Sequence, residues 1–102
     1  MASTKNYLDF VLEQLADLPE ITYRAMMGEY IIYYHGKIIG GIYDNRFLVK
    51  PTAVAHKIIP DAQMEIPYSG GKPMIMVPDI ENQDLLIQLF NAMYDETLTE
   101  KN

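Results

Sequence analysis

The sequence predicts a two-layer α+β domain, in which an antiparallel sheet of about five strands packs against an N-terminal and a C-terminal helix. Residues 4–18 and 80–95 show the apolar spacing of amphipathic helices. Between them, residues 24–52 are rich in β-branched and aromatic residues and are divided by turn residues. The length of 102 residues fits one domain spanning 1–102. We expect residues 96–102 to form a frayed tail.

The two terminal helices have recognisable ends. Ser3 or Thr4 can cap the first helix, and Pro19 is expected to end it. Asp79 is the expected N-cap of the last helix. The apolar stripe of the first helix consists of Tyr7, Leu8, Val11, Leu12, Leu15 and Leu18, and that of the last consists of Leu85, Leu86, Leu89, Phe90 and Met93.

The central segment predicts consecutive strands joined by short turns. His35-Gly36 and Asp44-Asn45 have the residues that two-residue hairpin turns favour. Gly28 is expected to allow a bend or bulge, and Gly40-Gly41 indicates a bulge or a close approach of another backbone. The expected strands are 21–26, 30–34, 37–43, 46–50 and 74–77, with a further short strand at 64–66 and a short helix at 53–59.

These strands are apolar on both faces, which is unusual for a small antiparallel sheet. In 30–34, one face would carry Tyr30, Ile32 and Tyr34 and the other Ile31 and Tyr33. Two helices can cover only one face. Two explanations stay open for the other: the short helix and the 60–73 loop fold over it, or a second molecule covers it. The second explanation predicts a homodimer, because a two-fold dimer is the commonest closed assembly.

Composition limits the classes of function. The net charge is -6, and the acids concentrate at the two ends, whereas residues 21–78 carry six bases and four acids. Such a chain is a poor non-specific nucleic-acid binder. The absence of cysteine excludes a disulfide scaffold and a thiolate metal site. With no apolar run at the N-terminus and no segment long enough to span a bilayer, the sequence predicts a soluble cytoplasmic protein.

No constellation of residues indicates catalysis, so we expect neither enzymatic activity nor a cofactor. His35 and His56 have no carboxylate at a metal-ligand spacing, which argues against a metal site. Ser69 lies in a Tyr-Ser-Gly-Gly-Lys-Pro stretch that fails the phosphate-loop pattern, and we interpret it as a surface loop. Glu29 is expected to be a solvated residue at a strand end, with a buried acid or polar anchor as the alternative.

The eight tyrosines are the notable excess, and several lie in the strand-rich segment beside arginines. Tyrosine, methionine and arginine are typical of protein interfaces. The candidate partner or dimer contacts are Met26, Met27, Tyr30, Tyr33 and Tyr43. One alternative is direct nucleic-acid binding, for which the candidates are Arg24, Lys37, Arg46, Lys50 and Lys72. Another is a small-ligand or enzyme pocket near Glu29 and the 66–73 loop.

Three stretches resemble the N-terminal domain of the TfoX/Sxy family: 24–37 with its Arg-Ala-Met-Met-Gly-Glu-Tyr opening, 44–50, and 74–79 ending in Val-Pro-Asp. The similarity runs from about Tyr7 to Tyr94. Met27 and Glu29 depart from the family pattern, which usually has Phe and often has Gly there. The resemblance implies a secretion-chaperone-like fold and a role in regulating transcription of competence genes through partners such as the cyclic-AMP receptor protein. The family also has a C-terminal domain that this 102-residue sequence lacks, so we expect a stand-alone protein-interaction module. The resemblance supplies no catalytic residues.

Overall fold

The computed structural model describes residues 3–99 and confirms the two-layer α+β architecture. The sheet has six strands in the order β1-β2-β3-β4-β6-β5, and every neighbouring pair is antiparallel. The elements in chain order are α1 (Lys5–Gln14), β1 (Ile21–Met26), β2 (Glu29–Tyr34), β3 (Lys37–Ile42), β4 (Phe47–Val49), α2 (Ala53–Ile58), β5 (Met64–Glu65), β6 (Met74–Met76) and α3 (Gln83–Thr99).

The helices pack on one side of the sheet, here called the inner face, and the core lies between the two layers. The Phe90 ring of α3 contacts the Phe47 ring of β4, with centroids 6.0 Å apart. The Tyr34 hydroxyl of β2 donates a hydrogen bond of 2.6 Å to Asn91 Oδ1. Burial raises the pKa of this tyrosine, and the charges of Asp95 and Tyr94 raise it further. The apolar stripes expected for both terminal helices are therefore placed against the strands.

The helix ends differ from the sequence prediction. Thr4 is the N-cap of α1, but α1 ends at Gln14, because the chain then tightens into turns in which the Leu18 N–H donates to the Leu15 carbonyl. Asp79 is not the cap of α3. Asn82 caps it, accepting a 3.1 Å hydrogen bond from the Leu85 N–H. α3 also continues through 96–99, which the sequence assigned to a frayed tail, and residues 100–102 lie outside the described residues.

Three hairpin turns connect β1 to β4, one more than expected. Both turn residues have positive φ in His35-Gly36 and in Asp44-Asn45, as predicted, and also in Met27-Gly28. Positive φ at both positions is the signature of the two-residue turn whose twist matches the flanking strands. Gly28 therefore closes a regular hairpin between β1 and β2 instead of bending a strand, and the first four strands form one continuous meander.

The paired glycines in β3 mark both a bulge and a close approach of two backbones. The β2–β3 register shifts between Ile32 and Tyr33, which leaves Ile39 as the extra residue of β3. A Cβ atom added to Gly40 would lie 2.1 Å from the Leu48 carbonyl oxygen and 2.7 Å from the Val49 Cα. Only glycine permits β4 to come this close.

We expect Gly40→Ala to lower the free energy of unfolding by about 3 kcal/mol, because the new methyl group would collide with backbone atoms of β4, which cannot rotate away. Urea denaturation followed by circular dichroism measures this. Gly36→Ala is the matched control: its φ is positive but no atom lies within 4 Å, so the expected cost is about 1 kcal/mol. Equal losses in the two variants would contradict the interpretation.

Candidate interaction surface

The side of the sheet that faces away from the helices, here called the outer face, is also apolar. Residues paired directly across an antiparallel ladder share a face. Starting from Ile31, the register pairs lead to Gly41, Leu48 and Met76 in turn. The outer-face side chains of the first three strands are Thr22, Arg24 and Met26 from β1, Glu29, Ile31 and Tyr33 from β2, and Ile38 from β3. The structure thus has the two apolar faces that the alternation predicted.

The loop 66–73 covers the outer face near β4 and β6. Its Tyr68 ring contacts the Tyr43 ring at a centroid distance of 6.0 Å. Tyr43 lies over Gly41, where an added Cβ would be 2.8 Å from Tyr43 Cε2. Pro67 is buried, and Leu48 has no exposed surface although it lies on this face. Burial raises the pKa of the Tyr43 phenol, followed by the charges of Tyr68 and Glu29.

Arg46 holds this loop in place. Its guanidinium forms an ion pair with Glu65, with Nη1 and Oε1 3.0 Å apart and both side chains about one-quarter exposed. Nη2 donates to the carbonyl of Ile66 at 3.2 Å and to that of Pro67 at 3.4 Å. Nε donates to the Tyr43 carbonyl at 3.1 Å. One side chain therefore links the end of the β3–β4 turn to β5 and to the start of the loop.

The part of the outer face on β1, β2 and β3 has no such cover. We call it the open face and define it by Arg24, Met26, Ile31, Tyr33 and Ile38. Met26 and Ile38 are 48% and 44% exposed, and Ile31 and Tyr33 are half-buried. A contiguous group of exposed apolar side chains with an arginine at its edge is typical of a protein-binding surface.

The structure separates the five residues that the sequence offered as partner contacts. Met26 and Tyr33 lie on the open face, and Met27 projects from the adjacent turn with 97% of its surface exposed. Tyr30 is on the inner face, where it packs on the core and contacts Tyr23 edge-to-face. Tyr43 is half-buried beside Tyr68. Ile38 was not among the predicted contacts, although neighbouring strand residues point to opposite faces and Ile39 beside it is buried.

The five basic residues that the sequence offered as nucleic-acid contacts do not share one location. Arg46 is engaged in the contacts to Glu65 and the loop. Lys50 and Lys72 line one groove. Arg24 is on β1, three strands from β4, which is about 14 Å across the sheet. Lys37 follows the β2–β3 turn. Nucleic-acid binding through these residues stays a prediction, which a steep loss of affinity with added salt would support.

Glu29 is a polar anchor, so the expectation of a solvated strand-end residue was wrong. Its Oε1 accepts hydrogen bonds from the Ser3 N–H at 3.0 Å and the Ser3 hydroxyl at 2.6 Å. Both carboxylate oxygens lie 3.2 Å from the Asp44 N–H. The Asn45 N–H donates to Ser3 Oγ, and the Thr4 N–H donates to Asn45 Oδ1. This network joins the start of α1 to the β3–β4 turn.

The outer face also has an open groove of about 470 Å³ beside the loop, bordered by Tyr43, Tyr68, Lys50 and Lys72. Glu29 does not line it, and a ligand pocket near Glu29 and the loop stays a prediction. Within residues 3–99, no three His, Asp or Glu side chains are grouped so that they could hold a metal ion. None of the described helices is long and apolar enough to cross a membrane.

Comparison with known proteins agrees with this architecture. The family model described as the TfoX N-terminal domain matches residues 13–95, which extend from α1 through most of α3. The chain belongs to the TfoX N-terminal domain family. It is also 32% identical over 91 residues to an uncharacterized 12.7 kDa protein encoded in the trpE 5′ region of Spirochaeta aurantia, a match that covers 84% of this chain and 79% of the relative. The family assignment expected from 24–37, 44–50 and 74–79 is confirmed.

Replacing Glu29 tests the polar anchor of this TfoX N-terminal domain. Glu29→Ala leaves the Ser3 hydroxyl and the Asp44 N–H without their acceptor, so we expect the free energy of unfolding to fall by about 2 kcal/mol. Glu29→Gln keeps one acceptor oxygen and should lose about half as much. Urea denaturation measures both. Glu13→Ala, an exposed position on α1, should stay within about 0.5 kcal/mol of wild type; an equal loss there would exclude a specific role for Glu29.

Replacing Arg46 tests whether it holds the loop. In the loop, the Gly71 N–H donates to the Tyr68 carbonyl at 2.8 Å, so its hydrogen exchange reports loop order. We expect Arg46→Gln to speed this exchange about tenfold, and Arg46→Lys to do nearly as much, because lysine lacks the forked donors. The control is Lys50→Gln, which removes a charge beside the same groove. Unchanged exchange in both Arg46 variants would contradict the interpretation.

Proposed function

We propose that this protein is a protein-interaction module that regulates gene expression by binding a regulatory protein through the open face. The family supports a competence-related regulatory module in general terms. The observation that favours this surface is Ile38, which is 44% exposed in the middle of a sheet face while Ile39 beside it is buried. In this proposal the protein acts in the cytoplasm, where transcriptional regulators meet their partners.

The chemistry of the open face defines the partner that fits it. Tyr33 and Ile38 are paired across β2 and β3, Ile31 lies two residues from Tyr33 on β2, and Met26 extends this apolar surface toward the β1–β2 turn. Methionine adapts its shape to a partner, and tyrosine supplies a large contact area at little entropic cost. A fitting partner therefore brings apolar side chains to the sheet.

The test compares transcripts from a strain lacking the gene with transcripts from strains carrying single substitutions. Ile38→Asp places a charge in the centre of the open face, so we expect it to reproduce the deletion. Gln88→Asp is the matched control, because it adds the same charge at an exposed position of α3, in the helical layer. Both variants should keep wild-type circular dichroism. A photo-crosslinking residue at position 33 would then identify the bound protein.

Two results would contradict the proposal. If deletion left transcription unchanged under conditions in which the protein is expressed, the regulatory role would be wrong. If deletion changed transcription but Ile38→Asp matched wild type, the open face would not be the binding surface. A crosslink at position 33 that disappears in Ile38→Asp, together with the loss of regulation, would support both parts.

A further inference from the structure

The free edge of β1 carries backbone groups that no described residue satisfies. In an antiparallel pair, alternate residues direct their N–H and C=O groups to the partner strand. The His35 N–H donates to the Glu20 carbonyl at 3.1 Å. This bond determines which alternate residues of β1 face β2. Even-numbered residues of β1 therefore bond to β2, and Ile21, Tyr23 and Ala25 direct their N–H and C=O groups outward. Within residues 3–99, no hydrogen bond reaches these outward groups.

This edge lacks the features that usually prevent strands from pairing. Protected edge strands are short, bulged, interrupted by proline or rich in charge. β1 has six residues, a continuous register with β2, no proline and one charge. Five of its six residues are exposed. The opposite edge of the sheet, β5, has only two residues. β1 is therefore the edge on which an additional strand can form a full ladder.

We infer that two copies of this chain pair through β1 about a two-fold axis at Tyr23, which joins their sheets into one of twelve strands. In this register Tyr23 pairs with its counterpart, and Ile21 of each copy pairs with Ala25 of the other. All three outward residues of each copy are used, which gives six backbone hydrogen bonds. The inference stands on the geometry of the edge and does not depend on the proposed regulatory partner.

Charge and backbone chemistry separate this register from its neighbours. Arg24 of one copy faces Thr22 of the other, and its diagonal neighbours on the other copy are Arg24 and Glu20, which directly precedes β1. The two-fold axis repeats these contacts. Sliding by two residues in one direction would place Arg24 against Arg24. Sliding in the other direction would place Ala25 opposite Pro19, which has no N–H to donate.

Sedimentation velocity at increasing protein concentration tests the assembly. We expect a dimer that dissociates on dilution. Ala25→Pro removes an outward N–H and leaves the bonds between β1 and β2 intact, so it should give a folded monomer. Arg24→Glu should weaken the dimer about tenfold by opposing Glu20 of the other copy. Adding Glu20→Arg to Arg24→Glu should restore the dimer, and Lys37→Glu, the same charge change at the start of β3, should leave it unchanged.

Residue-resolved hydrogen exchange provides a second readout. In the dimer the amides of Tyr23 and Ala25 should be protected, and in Ala25→Pro the Tyr23 amide should exchange freely while that of Arg24 stays protected. A wild-type monomer at all concentrations would overturn the inference and leave the edge to a strand of another protein. A dimer that survives both Ala25→Pro and Arg24→Glu would overturn it as well, because another surface would then join the copies. If Ile38→Asp lost regulation but kept the dimer, the result would bear on the proposed function and would not count against the dimer.

Discussion

Both sides of this sheet carry apolar side chains, but the two long helices can cover only one. Leu8, Phe90 and Ile32 meet on the inner face and form one core. On the outer face, Leu48 is as completely buried as any core residue, and the 66–73 loop covers the sheet around it. The loop has no regular backbone hydrogen bonding to fix its position, so side chains must hold it. Most other features of the domain follow from the need to cover that second face.

Arg46 meets this need in a way that explains its position. A guanidinium has five donors in a fixed plane, and here they reach a carboxylate and three carbonyl groups on segments that are not adjacent in sequence. A lysine could make only part of this set. The guanidinium is thus engaged within the domain, although its place beside tyrosines in the sequence suggested nucleic-acid binding. An arginine near tyrosines in the sequence can bind a partner or can hold segments of its own chain together. Only its contacts in the folded structure show which of the two it does.

The alternation of the strands was predictable, because Ile32 and Tyr33 must point to opposite faces wherever the strand lies. The turns His35-Gly36 and Asp44-Asn45 were predictable for the same local reason, since few residues accept positive φ at both positions. The contacts of Arg46 and Glu29 were not predictable from the sequence. Their partners lie 19–21 and 15–26 residues away in sequence, and no periodicity encodes such pairs. The cap of α3 was misplaced because Asp79 and Asn82 are equally suitable locally, and packing of the apolar stripe on the sheet decides between them.

Several polar side chains form hydrogen bonds that join separate elements of the domain. The Glu29 carboxylate and Ser3 hydroxyl bond to each other and to the β3–β4 turn, and Tyr34 bonds to Asn91. Among residues 3–99, the apolar side chains of the open face and the outward backbone groups of β1 have no such partners. These two features differ in kind. Apolar side chains discriminate by shape, whereas a strand edge accepts any extended chain in register, so a surface that combines them can use the edge for its own copy and the face for a different protein.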